Sequence, residues 1–212
     1  MKKVYLDCGG NLGQGYELMK KDYNLDNFHV YMFEPLAECF QILRERYPNI
    51  NLLNVAVWNK NTKKKLNLEY DPNNNAWVGG ATNLLGRKYK KPDYIKSDYI
   101  NTRYEEVECI KLSSFIENNF HRDDYIILKL DIEGAEFEVL NDLIKNNLLF
   151  WINEIKVEWH ERLLKKSKIR KRLENSLIFR FDKNLNLSKL FKRRAYYINL
   201  FRKFDIDYEE WR

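Results

Sequence analysis

No stretch of this 212-residue sequence is apolar for long enough to cross a membrane. Its three cysteines, Cys8, Cys39 and Cys109, are scattered and odd in number, and no C-x-x-C pair occurs. Neither a disulfide framework nor a zinc knuckle is supported. The start, Met1-Lys2-Lys3, is basic, but Asp7 interrupts the apolar run that follows. No secretory signal is read there, and a cytoplasmic location is expected. A surplus of acid is missing too: 37 Lys and Arg against 31 Asp and Glu leave a net charge of +6. Basic clusters at 63–65, 87–91, 162–172 and 192–194 would attract a polyanion. Acids are nearly as numerous and no aromatic-basic motif is present, so these charges read as solvated faces.

What is there begins with glycine. Four of the eight glycines, Gly9, Gly10, Gly13 and Gly15, fall in one short stretch, KVYLDCGGNLGQG from Lys3 to Gly15. An apolar run reaches Asp7 and breaks into these glycines, as a buried parallel strand does when it turns into a helix. Such a turn lets backbone approach a ligand and offers the free N–H groups of a helix start. The dinucleotide fingerprint G-x-G-x-x-G fails in every register, since Gly13-x-Gly15 runs on to Leu18. The pattern present is D-x-G-x-N-x-G. An acid so close to the glycines would repel a pyrophosphate, but it suits a ligand with a cationic amine and a sulfonium. That points to S-adenosylmethionine.

The rest of the chain alternates strand and helix. A helix is predicted over 16–23 and a strand over 29–33 ending at Glu34-Pro35. An acid at the end of the second strand is placed to hold a ribose hydroxyl pair. Pro35 opens a helix to 47 with Leu36, Phe40, Ile42 and Leu43 inward. A third strand is read over 49–57, its end near an adenine pocket formed by residues 55–58, with Trp58 as core. An edge strand is read over 65–70. The stretch 71–103 is rich in Asn, Gly, Lys and Tyr and reads as an inserted loop, either a lid over a ligand through Trp77, Gly79, Gly80, Thr82 and Asn83, or simple disorder. Strand character returns at 105–112, and Ser114 to Glu117 fits a capping box. A buried strand over 125–131 ends in an acid and places Lys129 and Asp131 on one side. A helix over 133–145 and a strand over 150–159 follow, the strand ending at Glu158-Trp159-His160. A basic helix over 163–175, a connection over 184–191 and an antiparallel pair of last strands, 177–181 and 196–201, complete the reading.

Four segments together resemble the FkbM family of methyltransferases: Leu6 to Gly13, Phe33-Glu34-Pro35, Asn54 to Val57, and Leu128 to Glu136. The last, K-x-D-x-E-G-A-E, is the specific one, and the likeness covers roughly 4–160. The resemblance implies an α/β, Rossmann-like class I methyltransferase domain over 1–212. Its sheet would be mostly parallel and seven-stranded, with helices on both faces and an antiparallel last strand. It implies methyl transfer from S-adenosylmethionine to an oxygen, commonly a hydroxyl of a sugar or secondary metabolite. Carried over, Asp7, Gly9, Asn11 and Gly13 would hold the methionine end and Glu34 the ribose, with Gly10, Pro35, Ala56 and Val57 also expected at the cofactor. Asp131 would lie beside donor and acceptor. The pattern begins at strand one with no helices before it. Either the 71–103 loop covers the acceptor, or the domain belongs to a larger protein, fused to or associated with glycosyltransferase domains.

A sugar hydroxyl is a poor nucleophile, so a base within hydrogen-bond reach is expected. His160 and Asp131 are the candidates, with Lys129 and Glu158 orienting the acceptor. Asp131, Glu133, Glu158 and His160 could instead gather a divalent metal, which nothing in the spacing demands. Two other classes stay open. A nucleic-acid methyltransferase would draw on the basic clusters, but Asp131-Ile-Glu-Gly is not the Asn/Asp-Pro-Pro-aromatic motif of amino-methylating enzymes. A non-catalytic module in a glycan-building assembly is the other.

Overall fold

The computed structural model describes residues 1–68, 70–71, 76–77, 82–85, 104–160 and 191–211. A six-stranded sheet forms its centre. The first strand, β1 (Lys3–Cys8), is buried at every position after Lys3, because strands flank it on both sides. On one side lie β2 (His29–Phe33) and β3 (Asn51–Leu53), reached through helices α1 (Gln14–Asp22) and α2 (Ala37–Arg46). A second, three-stranded sheet follows in the chain, formed by β4 (Ala56–Trp58), β5 (Thr62–Asn67) and β8 (Tyr104–Lys111). Between its members sits a small hairpin, β6 (Tyr70–Asp71) with β7 (Ala76–Trp77). The chain then passes through α3 (Leu112–Asn119) and returns to the other side of β1 with β9 (Tyr125–Leu130), α4 (Glu136–Lys145), β10 (Glu154–Val157), α5 (Phe191–Lys203) and β11 (Asp207–Glu210).

The order across the main sheet is β11-β10-β9-β1-β2-β3, and every pairing is parallel. The order reverses between β1 and β9. That reversal leaves a crevice at the carboxyl ends of these strands, where ligands bind in open α/β sheets. The sheet therefore has the Rossmann-like arrangement, but two expectations are corrected. Among the described residues the main sheet has six strands, not seven. Its last strand, β11, is parallel: Asp207 N–H donates to Asn153 O and Trp211 N–H to Val157 O, stepping in the same direction. A parallel partner needs a crossover, and α5 supplies it. The segment 196–201, expected as a strand, lies inside α5. Tyr197 and Phe201 are buried four residues apart, a helical spacing that a short, mostly apolar run hides.

Smaller corrections have local causes. The strand expected over 49–57 splits into β3 and β4, which join different sheets. The break falls at Asn54, whose side-chain amide donates to the carbonyls of Glu34 and Pro35. α2 is shorter than predicted, and Ile42 is 42% exposed while Leu36 and Leu43 are buried. α3 begins at Leu112, so Ser114 is no cap. α4 begins only at Glu136, because Glu133 (φ 51°) and Gly134 (φ 95°) are left-handed. The strand expected over 150–159 contracts to β10, since Leu149–Trp151 forms a 3-10 turn. The predicted elements at 163–175 and 177–181, the connection up to 190 and most of the 71–103 loop lie outside the described residues. Trp58 is buried as core, with Leu36, Leu66 and Val107 in the same cluster. No helix among the described residues is long and apolar enough to cross a membrane.

Candidate active site

A cavity of about 290 Å³ opens at the carboxyl ends of β1, β2, β9 and β10. It is lined by Gly9, Asn11, Glu34, Pro35, Ala56, Val57, Asp131, Glu133, Glu158 and His160, with Thr82, Leu66 and Leu84 on the side of the second sheet. Seven of the residues singled out as cofactor-binding are among these; Asp7, Gly10 and Gly13 are not.

The glycine turn is fixed from both sides. The N–H groups of Gly9 and Gly10 each donate to Phe33 O at 3.1 Å. Gly9 has φ +93°, and a Cβ there would stand 1.9 Å from the carbonyl oxygen of Asp131. Only glycine lets the end of β1 pass this close to the end of β9. Glu34 clasps the same turn from β2: one carboxylate oxygen accepts from Asn11 N–H and the other from Leu36 N–H, both at 2.8 Å. Burial pushes the Glu34 carboxyl up to about 7, against the pull of those two N–H groups.

Asp7 and Lys129 sit beneath the turn. Both are almost fully buried, at 0% and 1% exposure. The Lys129 ammonium donates to Asp7 Oδ1 at 3.0 Å and to Gly9 O at 3.1 Å, and lies 3.5 Å from Asp131 Oδ2. Gly15 leaves room for its stem, and its Nζ is 5.6 Å from the centre of the Trp211 ring. Burial alone would lower the Lys129 pKa, but Asp7 and Asp131 outweigh it and hold it above the ordinary lysine value. Neither side chain lines the cavity, so from here they act through the backbone they support.

The opposite end of the cavity is a knot of carboxylates around one imidazole. His160 is buried, with Nδ1 2.9 Å from Glu136 Oε1, and Nε2 3.4 Å from Glu158 and 3.5 Å from Glu133. Glu136 is anchored in turn by the N–H groups of Ile132 and Gly134, which the left-handed turn points inward. Burial would lower the His160 pKa, but hydrogen bonds to Glu136 and Glu158 and the charge of Glu133 raise it to about 11. An imidazolium has no lone pair to accept a proton. Asp131 has its pKa raised by burial, partly offset by Lys129. The hydrogen bond with His160 keeps Glu158 below the ordinary carboxylate range. Asp131, Glu133 and His160 offer ligand atoms all within 4.8 Å of one another, a set able to hold a metal.

Sequence reasoning gave Glu136 no role of its own. Its signal was present in the E-G-A-E run, but only the fold shows that the second acid turns back onto His160. Thr82, named among the lid candidates, stands on the cavity wall.

The sequence model of the methyltransferase FkbM domain matches residues 7–185. Among solved structures, the chain is similar to methyltransferase FkbM from Methylobacillus flagellatus KT, at 15% identity and a TM-score of 0.39. That similarity covers 68% of this chain and 30% of the other, so this chain matches under a third of that protein's length. Comparison with curated proteins gives no significant match.

Proposed function

The chain belongs to the FkbM methyltransferase family, and from that premise we propose that it methylates a hydroxyl of a sugar, glycan or related small molecule, with S-adenosylmethionine as donor. The observation that carries the reading is Glu34. Its carboxylate ends β2, lines the cavity and ties down the glycine turn, where a ribose diol would find two acceptor oxygens. Ala56, Val57, Leu66 and Leu84 form an apolar wall beside it, suited to a base. Asp131 lies toward the other end, where its charge suits a sulfonium.

When bound, the donor supplies an activated methyl group: a bond forms from its carbon to the acceptor oxygen as the bond to sulfur breaks with its electron pair. The chain's residues then have two tasks. The glycine turn, Glu34 and the apolar wall hold one reactant in place, which is most of what an in-line displacement needs. Asp131 takes the proton from the acceptor hydroxyl. Glu158 on the cavity wall orients that hydroxyl. Lys129, expected beside the acceptor, serves instead as the prop of the turn.

A nucleic-acid acceptor finds less support. Lys63 pairs with Glu106 and Glu108, Lys64 packs over Trp58 and Lys65 over Tyr104, so this basic run is met by its own surroundings. The reading is tested by calorimetric titration with S-adenosylhomocysteine. Micromolar binding that Glu34→Gln weakens is expected. Absence of binding by the folded chain overturns it.

A further inference from the structure

We propose that Asp131, Glu133 and His160 form a divalent-cation site at the acceptor end of the cavity. The inference deepens the functional reading above and rests on it only for what the ion would touch.

The three ligands come from three places that the fold brings together: the end of β9, the left-handed turn after it, and the end of β10. Their ligand atoms lie within 4.8 Å of one another. The imidazole is not free to choose which nitrogen it presents. Glu136 engages Nδ1 at 2.9 Å and is itself pinned by Ile132 and Gly134, so Nε2 faces Glu133 and Glu158. A carboxylate behind one ring nitrogen, with the other aimed at further carboxylates, is how proteins orient a metal-bound histidine.

A second, independent observation concerns charge. Asp131, Glu133, Glu136 and Glu158 surround one imidazole, and the nearby Lys129, 3.5 Å from Asp131, is shared with Asp7 and Gly9. Glu136 is fully buried, yet its Oε2 has no hydrogen-bond partner among the described residues. Four carboxylates thus gather around two cations, His160 and Lys129, and the excess of negative charge is what a divalent ion would offset. Two carboxylates and one imidazole suit manganese or a similar first-row ion, which would displace the proton that these carboxylates otherwise hold on His160 Nε2. Three protein ligands leave coordination positions open toward the cavity, where an acceptor oxygen would be held, and Asp131, ligating through one carboxylate oxygen, keeps the other for the proton.

The experiment uses the whole chain, stripped with a chelator and freed of it, with no cofactor present. It is titrated with Mn²⁺ while the free ion is followed by electron paramagnetic resonance. One Mn²⁺ per chain, bound in the micromolar range, is expected. Glu133→Gln and His160→Gln should each weaken it by at least about tenfold. Glu133 sits on a turn at the cavity rim, so Glu133→Gln keeps the test decisive where His160→Gln fails to fold. Absence of stoichiometric binding below millimolar Mn²⁺, or binding that a folded Glu133→Gln leaves unchanged, overturns the proposal. Titration with S-adenosylhomocysteine in metal-free buffer separates the two readings. If it binds and Mn²⁺ does not, the cation site falls alone; if Mn²⁺ binds and it does not, the donor assignment falls alone.

Discussion

Lys129 and Asp7 form a buried ion pair at 3.0 Å, directly under the turn that bounds the cavity. The same ammonium holds Gly9 O, so one group joins the ends of β1 and β9. Lys129→Met removes the cation and leaves Asp7 charged and buried. The expected cost is about 3–5 kcal/mol of stability, the range for breaking a buried pair from one side. Urea unfolding measures it. The double variant Asp7→Asn/Lys129→Met should recover most of the loss. A single variant as stable as the parent would show that the pair is incidental.

Glu34 sets a pH dependence. Its carboxyl is held up to about 7, above its ordinary value of 4.5. Ribose hydroxyls donate, so the ionised form is the binding form. Affinity for S-adenosylhomocysteine should rise from pH 6 to pH 8, by up to about tenfold per pH unit below the Glu34 pKa. The stability term has the opposite sign. The folded state keeps this proton longer than the unfolded one, so the Glu34 contribution falls as pH rises from about 4.5 to about 7. Glu34→Gln should flatten both profiles. Titrations at several pH values, run beside thermal melts, check the two signs together.

Gly9→Ala should be far more damaging than a methyl group suggests. The new Cβ would meet Asp131 O at 1.9 Å, and the residue would keep φ +93°. Backbone strain alone costs about 1–3 kcal/mol. Relief of the clash must move the Asp131 backbone, so a folded variant should lose turnover as well as cofactor affinity. A melt and a binding isotherm on the same sample decide this.

The two ends of the cavity should separate kinetically. Asp131→Asn removes the base and should lower kcat by about 10²-fold or more. Glu34→Gln should act mainly on the KM for the donor. If both variants move the same constant, the division of labour is wrong.

The legible part of this chain was its local chemistry. The strand-turn-helix at Gly9–Gly15, the acid ending β2 and the K-x-D-x-E-G-A-E run were all visible, because each is a short contiguous pattern. Sheet membership was not, since β3 and β4 read as one strand and part at Asn54, whose side chain holds the carbonyls of Glu34 and Pro35. The 196–201 run was equally ambiguous, as apolar and aromatic residues on five of its six positions fit either period. At the site, residue types were readable but facing was not. Lys129 and Asp131 share one side of β9, yet the first is swallowed under the glycine turn and the second reaches the cavity. Glu136 finds His160 only because α4 carries the chain away and β10, pairing parallel with β9, brings it back to the same end of the sheet.

The pairing of β1 with β9 also bears on how the molecule comes to exist. Lys129 and Asp7 are 122 positions apart in sequence, and the pocket floor needs both. Contacts of that separation are slow to form, since the long intervening loop must close before they return any stability. Local pairing of β1 with β2 through α1 is available early, while the cavity must appear late, once β9 has threaded in beside β1. During synthesis, a nascent chain that has not yet exposed β9 carries Asp7 without its partner Lys129, so the glycine-turn half of the fold is complete in sequence long before it is stable.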